Sequence, residues 1–290
     1  MTAGAASIEV RRHRASTLSR VFAFARYHLL TAYALLAFVY LMLPIAVVIV
    51  FSFNDPVGRF NFTWQGFTLD NWLNPFGFPG LRSAVEKSLE IAFFSSIIAT
   101  ALGTFMGLAL VRHHFYGRGA TNLLVFMPMA SPEIVLGASL LTLFLNRPVG
   151  VEIPLGFWTI LIAHIMFNIS YVVVTVKARL VGFDRHLEEA AMDLGANEWT
   201  TFTRVTLPLI APGILAAGLL AFALSIDDFV ITYLNSGSVV TFPLYVWGAA
   251  RTEIAPQINV IGSAIFFIAV LLMLANVALQ WRRTPKGGQA

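Results

Sequence analysis

The chain has 290 residues, of which 58% are hydrophobic and 12% charged, and its mean hydropathy is +0.76. A protein of this composition cannot cover its surface with polar side chains, which excludes a water-soluble globular domain and predicts an integral membrane protein. The sequence contains no cysteine, which excludes disulfide bonds and thiolate metal sites. The net charge of +4 does not indicate a nucleic-acid partner, because the basic residues cluster at the ends of apolar stretches, as topology signals do.

Six stretches are long and apolar enough to cross a bilayer as helices. A hydrocarbon core about 30 Å thick needs roughly 20 helical residues. The first stretch exceeds the apolar run of about 7 to 15 residues in a secretory signal peptide, so we interpret it as a retained anchor. The prediction is an all-α integral membrane protein whose transmembrane domain covers residues 29–281. The six stretches are 29–51, 89–111, 120–145, 155–176, 209–233 and 258–281.

Lys and Arg are distributed unequally between alternate loops. One set of loops holds 14 of the 19 basic residues: the N-terminal segment 1–28, the turn with Arg112 and Arg118, the insert 177–208 and the tail 282–290. This asymmetry predicts that both termini and the insert face the cytoplasm, in a bacterial cytoplasmic membrane. We expect the basic segment 1–28 to lie near anionic lipid headgroups.

The outer loops 52–88 and 234–257 are rich in Asn, Gly, Pro and aromatic residues. This composition predicts folded, turn-rich caps and not flexible linkers. Such caps either form a landing surface for an external partner or only connect the helices.

Small residues recur at a spacing of four in the second and fifth stretches. In lipid, helices associate through close backbone approach, which small residues permit. These patterns predict two ridges of helix contact, formed by Ala99, Gly103 and Gly107 in one stretch and by Gly213, Ala217, Ala221 and Ser225 in the other.

The third and fourth stretches each carry an unusual feature. Pro128 and Pro132 remove backbone donors, so the third helix should bend or open locally, as helices that line cavities do. His164, Asn168 and Tyr171 share one face of the fourth helix. These three side chains either line a solute pathway or form hydrogen bonds between helices.

The insert 177–208 contains "EEAAMDLGANEWTTFTRVTLP", which is polar and prone to form helix on either side of Gly195. Because glycine turns the chain at little steric cost, two short helices joined at this residue are expected. The segments "EAAMDLG" and "VTLP" resemble the EAA loop of ABC importer permeases. The matching residues are Glu189, Ala190, Ala191, Gly195, Val205, Leu207 and Pro208, of which only Val205 departs from the usual Ile.

The resemblance implies that the insert is a coupling loop for a separate ATPase. Its first helix would seat in a groove of that subunit, with Ala190 and Ala191 permitting close approach and Glu189 making polar contacts at the rim. Pro208 would fix how the loop enters the fifth helix. The chain has no GxxxxGK[ST] phosphate loop, so ATP and Mg²⁺ are expected on the partner and no cofactor in this chain.

Further stretches, including "SPEIVLGASLLTLF" and "LSIDDFVITYL", resemble the second permease subunit of spermidine/putrescine importers, the PotC type. The resemblance covers roughly the last two-thirds of the chain. It implies a complex of two permease subunits, an ATPase dimer and an external solute-binding protein.

Three acidic residues lie inside the predicted helices: Glu133, Asp227 and Asp228. Ionisable residues in a membrane are costly and mark a substrate path or a buried pair. No Lys or Arg lies in a helix core to neutralise them, so we expect them to be protonated or to meet a passing cation. Helical periodicity places Asp228 beside the Ser225 ridge, which favours Asp228 over Asp227 for the interior if that ridge faces the pore. Alternatively, the acids cap broken helices or pair with basic residues of the outer loops, Lys87 or Arg251.

The leading hypothesis is a permease subunit of an ATP-driven polyamine importer. The same architecture could import another solute, such as an amino acid derivative, an opine-like compound or an iron complex. A self-sufficient ion-coupled carrier or channel would use the three acids as a relay, but it leaves the insert unexplained. The sequence has no HExxH or GxSxG motif, so neither a catalytic nor a metal site is expected.

Overall fold

A computed structural model of the chain describes residues 17–146 and 153–283. Within these residues the structure is helical, with two isolated β-bridges and no strand. The α-helices are α1 (Thr17–Phe51), α2 (Asp70–Leu73), α3 (Leu81–Arg112), α4 (Arg118–Ala130), α5 (Glu133–Leu145), α6 (Phe157–Val181), α7 (His186–Asp193), α8 (Glu198–Thr201), α9 (Leu207–Asp227), α10 (Val230–Asn235), α11 (Phe242–Thr252) and α12 (Pro256–Arg283).

The apolar helices match the six predicted stretches. Among the described residues, five helices are long and apolar enough to cross a membrane, and the pair α4 and α5 supplies a sixth span if it is counted as one. The all-α, multi-pass prediction is therefore confirmed. Most of the segment 1–28 and of the tail 282–290 lies outside the described residues.

The third predicted span is two helices and not one bent helix. The axes of α4 and α5 differ by 109°, and the break falls at Ser131 and Pro132. Ser131 is extended, with ψ 140°, as expected for a residue that precedes proline. Pro128 remains inside α4. The predicted opening of the third span thus lies at Pro132.

The core of the membrane domain is the packing of α3, α6 and α9 along the two predicted ridges. Ala99, Ala217 and Ala221 are fully buried. A Cβ atom added to Gly103 would lie 2.6 Å from the side chain of Val172 on α6, so only glycine fits at this crossing. The ridges therefore join helices of this chain to one another.

The outer loop that begins at residue 52 is folded around buried asparagine side chains. Asn54 donates from Nδ2 to Oδ1 of Asn61 at 2.6 Å and accepts at its own Oδ1 from the backbone N–H of Gln65 at 2.8 Å. Asn71, on α2, donates to the carbonyl of Asn54 at 2.9 Å. The turn-rich cap expected from composition is present.

Candidate coupling surface and solute pathway

The insert forms a helical elbow, which we define as α7, the turn 194–197, α8 and the following residues 202–206. Gly195 has φ 89°, a left-handed conformation that favours glycine. The side chain of Asn197 caps α8 by accepting from the backbone N–H of Thr200 at 2.8 Å. Residues 202–206 form a π-helical turn that runs directly into α9, with Pro208 in its first turn. The two short helices expected from the sequence are present.

The elbow presents the residues of the EAA resemblance on its surface. Most of them are exposed, and Ala191 and Val205 are half-buried. An exposed Glu189 followed by small side chains leaves room for a neighbouring protein to approach the helix closely. The exposed members of the set are Glu189, Ala190, Gly195, Leu207 and Pro208.

Glu188, one residue before the EAA glutamate, points in the opposite sense and is 8% exposed. Its carboxylate accepts two parallel hydrogen bonds from the guanidinium of Arg112, at 2.7 and 2.6 Å. The hydroxyl of Thr206 also donates to it. Sequence reasoning missed this residue. Helical geometry could have indicated it. Adjacent residues in a helix are 100° apart, so one of two neighbouring glutamates can face inward when the other faces out.

The electrostatics of Glu188 follow from these contacts. Burial alone would raise the pKa of Glu188, but the hydrogen bonds from Arg112 and Thr206 outweigh burial and hold the pKa below its ordinary value. The guanidinium of Arg112 also lies 5.7 Å from the ring centroid of Phe183. The pair is therefore charged and enclosed at the base of the elbow.

At its other end, α9 unwinds between two adjacent aspartates. Asp227 is the last residue of α9 and is exposed, whereas Asp228 is extended and its side chain is only 6% exposed. Asp228 accepts from the backbone N–H and the hydroxyl of Thr232, both at 2.8 Å, and so caps α10. The sequence favoured Asp228 for the pathway on the condition that the Ser225 ridge faces the pore, and in this structure Ser225 is buried among helices of the same chain.

Asp228 also contacts a histidine, a residue that the search for neutralising Lys and Arg did not include. Nε2 of His164, on α6, lies 3.2 Å from Oδ2 of Asp228, and its Nδ1 lies 2.7 Å from the hydroxyl of Ser225. Ser225 in turn shares a hydrogen bond with Ser95 on α3 at 2.9 Å. His164 therefore joins four helices through polar contacts. Of the two alternatives for this residue, a solute pathway or hydrogen bonds between helices, the contacts correspond to the second.

The other two polar residues of α6 differ from His164. Asn168 is fully buried, and its side-chain atoms have no hydrogen-bond partner among the described residues. Tyr171 is half-buried and packs on Phe167, with ring centroids 5.0 Å apart. The shared face predicted for the three residues thus points largely into the protein.

Glu133 and Asp227 are the accessible acids. Glu133 is the exposed first residue of α5, directly after the break. Asp227 borders a cavity of about 430 Å³ whose wall includes Phe229 and Trp247, with ring centroids 5.2 Å apart. Carboxylates beside aromatic rings provide the chemistry that binds organic cations.

These features define a class of protein: a helical, multi-pass membrane subunit with broken spans and an exposed helical elbow. The chain belongs to the family described as binding-protein-dependent transport system inner membrane component, whose model matches residues 99–282. The matched region contains both the elbow and the three acids.

Relatives and solved structures agree with this family. The chain is 37% identical to the spermidine/putrescine transport system permease protein PotC of Haemophilus influenzae, covering 90% of this chain and 98% of that protein. It is 36% identical to the putrescine transport system permease protein PotI of Escherichia coli K12, covering 82% and 88%. A bacterial ABC transporter for alginate has a chain of the same fold, with a TM-score of 0.67 at 16% identity, covering 92% of this chain and 100% of that one.

Proposed function

We propose that this chain is one permease subunit of an ATP-driven importer of polyamines such as spermidine and putrescine. The similarity to the Haemophilus influenzae permease, which extends over nearly the full length of both chains, carries the proposal. The exposed carboxylates of Glu133 and Asp227 support it, because protonated amines are the natural counter-ions of carboxylates.

In this proposal the complex has three further components. A second permease subunit completes the pathway, an ATPase dimer binds the exposed side of α7, and an external solute-binding protein docks on the folded outer cap. The elbow and both termini face the cytoplasm. ATP and Mg²⁺ bind to the ATPase, and this chain performs no covalent chemistry.

In the proposed transport cycle, the elbow receives movement from the ATPase, and the solute passes the acids Glu133 and Asp227. ATP binding closes the ATPase dimer and moves the elbow, which shifts the helices between inward-open and outward-open arrangements. A polyamine delivered from outside then passes Asp227 and Glu133, where its ammonium groups exchange water for carboxylate and aromatic contacts. Because a polyamine carries several charges, one ammonium can leave a carboxylate as the next one arrives.

Reconstitution of the full complex in liposomes tests the proposal. Spermidine or putrescine, presented with the binding protein, should stimulate ATP hydrolysis, and both stimulation and uptake should fall in Asp227→Asn. Glu90→Gln, which removes an exposed acid of α3 outside the outer cap, is the matched control and should retain both. Stimulation by a different solute alone would contradict the polyamine assignment, and uptake by the isolated chain would indicate an ion-coupled carrier or channel.

A further inference from the structure

We propose that Glu188, and not only the EAA glutamate beside it, is a positioning residue that makes α7 and α3 move as one body when the ATPase moves the elbow. The inference rests on the proposed function in one respect, that an ATPase binds α7. It does not depend on which solute is transported.

The contact has the geometry of a clamp. Arg112 is the last residue of α3, and its guanidinium meets Glu188 on α7, 76 positions later, in two parallel hydrogen bonds. Two parallel bonds fix orientation as well as distance. Thr206 donates to the same carboxylate from the π-helical turn that leads into α9. One carboxylate therefore ties the elbow to the ends of two membrane helices.

Burial makes this clamp stiff. The side chains of Arg112 and Glu188 are 23% and 10% exposed. If α7 moved away from α3, both charges would remain poorly solvated and without a partner, which is far more costly than opening an exposed pair. The exposed pair of Arg82 and Glu86 lies at the opposite end of α3, with side chains 75% and 54% exposed, and water screens it.

The two adjacent glutamates thus serve opposite neighbours. Glu189 is exposed and available to another subunit, whereas Glu188 binds the membrane domain of its own chain. Movement imposed on α7 from outside reaches α3 through Arg112. From α3 the movement reaches α6, because the backbone at Gly103 packs directly against Val172.

Spin-label distances in the complete complex test the clamp without any solute. The chain has no cysteine, so labels can be placed specifically at Leu102→Cys on α3 and Asp193→Cys on α7, both at exposed positions. The distance between the labels should be the same with and without Mg²⁺ and a non-hydrolysable ATP analogue. In Glu188→Gln it should change by several ångströms on nucleotide binding, because the charged contact that holds α7 to α3 is lost.

The controls separate a positioning role from a loss of folding. Glu86→Gln breaks the exposed pair on the same helix and should leave the distance unchanged. The exchange Glu188→Arg with Arg112→Glu should restore the nucleotide-independent distance, at least in part. If Glu188→Gln does not fold, Arg112→Lys replaces it, because lysine keeps the charge but loses the parallel bonds, and the same shift is expected.

Two results would overturn the clamp: a nucleotide-dependent distance in the unaltered chain, or an unchanged distance in the variants that break the pair. Absence of polyamine stimulation in the unaltered complex would overturn the proposed solute alone, since the distance measurement uses only nucleotide.

Discussion

His164 and Asp228 form a buried contact of 3.2 Å between α6 and the break that ends α9, while the neighbouring Asp227 is exposed. Two adjacent aspartates thus have different environments. Asp228 stabilises the broken helix from within, and Asp227 is the acid that a solute can reach. Loss of the Asp228 carboxylate should therefore reduce stability, whereas loss of the Asp227 carboxylate should reduce uptake.

Asp228→Asn should destabilise the protein, because the change weakens a buried contact with His164 and the cap of α10. Leaving a buried hydrogen-bonding group without its partner costs about 1 to 3 kcal/mol. The free energy of unfolding of the purified chain in detergent is the measurement. Asp227→Asn is the matched control and should leave that free energy nearly unchanged while impairing uptake. Equal stability of the two variants would contradict the assignment.

Gly103→Ala should separate α3 from α6, because the added methyl group would lie 2.6 Å from Val172. Overpacking of this kind costs about 1 to 3 kcal/mol. Thermal unfolding checks it, with Gly119→Ala as the control, since a Cβ atom there meets nothing within 4 Å. An undiminished unfolding temperature in Gly103→Ala would show that the helices are not packed as described.

The Arg112–Glu188 pair should make stability depend on pH in the acid range. The pKa of Glu188 is lower in the folded chain than in the unfolded chain, so its contribution is complete above the ordinary glutamate pKa of about 4.3 and is lost as the pH falls through the folded-state pKa. Unfolding temperatures measured as a function of pH should therefore decline more steeply on acidification in the unaltered protein than in Glu188→Gln. Parallel curves for the two proteins would contradict a lowered pKa.

Glu189→Arg should weaken binding of the ATPase, because the change reverses the charge at the exposed rim of α7. Co-purification of the ATPase with the permease measures this effect. Glu198→Arg, a charge reversal at the exposed start of α8, is the control and should have a smaller effect. Normal co-purification and normal coupling in Glu189→Arg would place the ATPase contact elsewhere.

Local sequence signals predicted most of the fold. Long apolar runs gave the spans, and a spacing of four gave the ridges, because both depend on helical geometry alone. The turn at Gly195 followed from the conformational freedom of glycine. The sequence did not distinguish Pro128 from Pro132, since each removes one backbone donor and only packing decides where the helix ends.

The contacts of the candidate sites were harder to predict, because they join residues far apart in the chain. Arg112 and Glu188 are separated by 76 positions, and His164 lies in a different span from Asp228. Periodicity indicates which side chains share a face, but it does not say what lies opposite that face. The condition attached to Asp228 could not be resolved in this way, since periodicity does not show that the ridge beside it contacts other helices of the same chain.

Site-specific photo-crosslinking tests most directly the claim that an ATPase acts on this chain through the elbow. A photoreactive amino acid at Ala190, on the exposed side of α7, should capture the ATPase subunit in the assembled complex. The same group at Val57, which is 92% exposed in the outer cap, should not. Capture at Ala190 alone is the result expected here, and capture at Val57 with none at Ala190 would contradict the account.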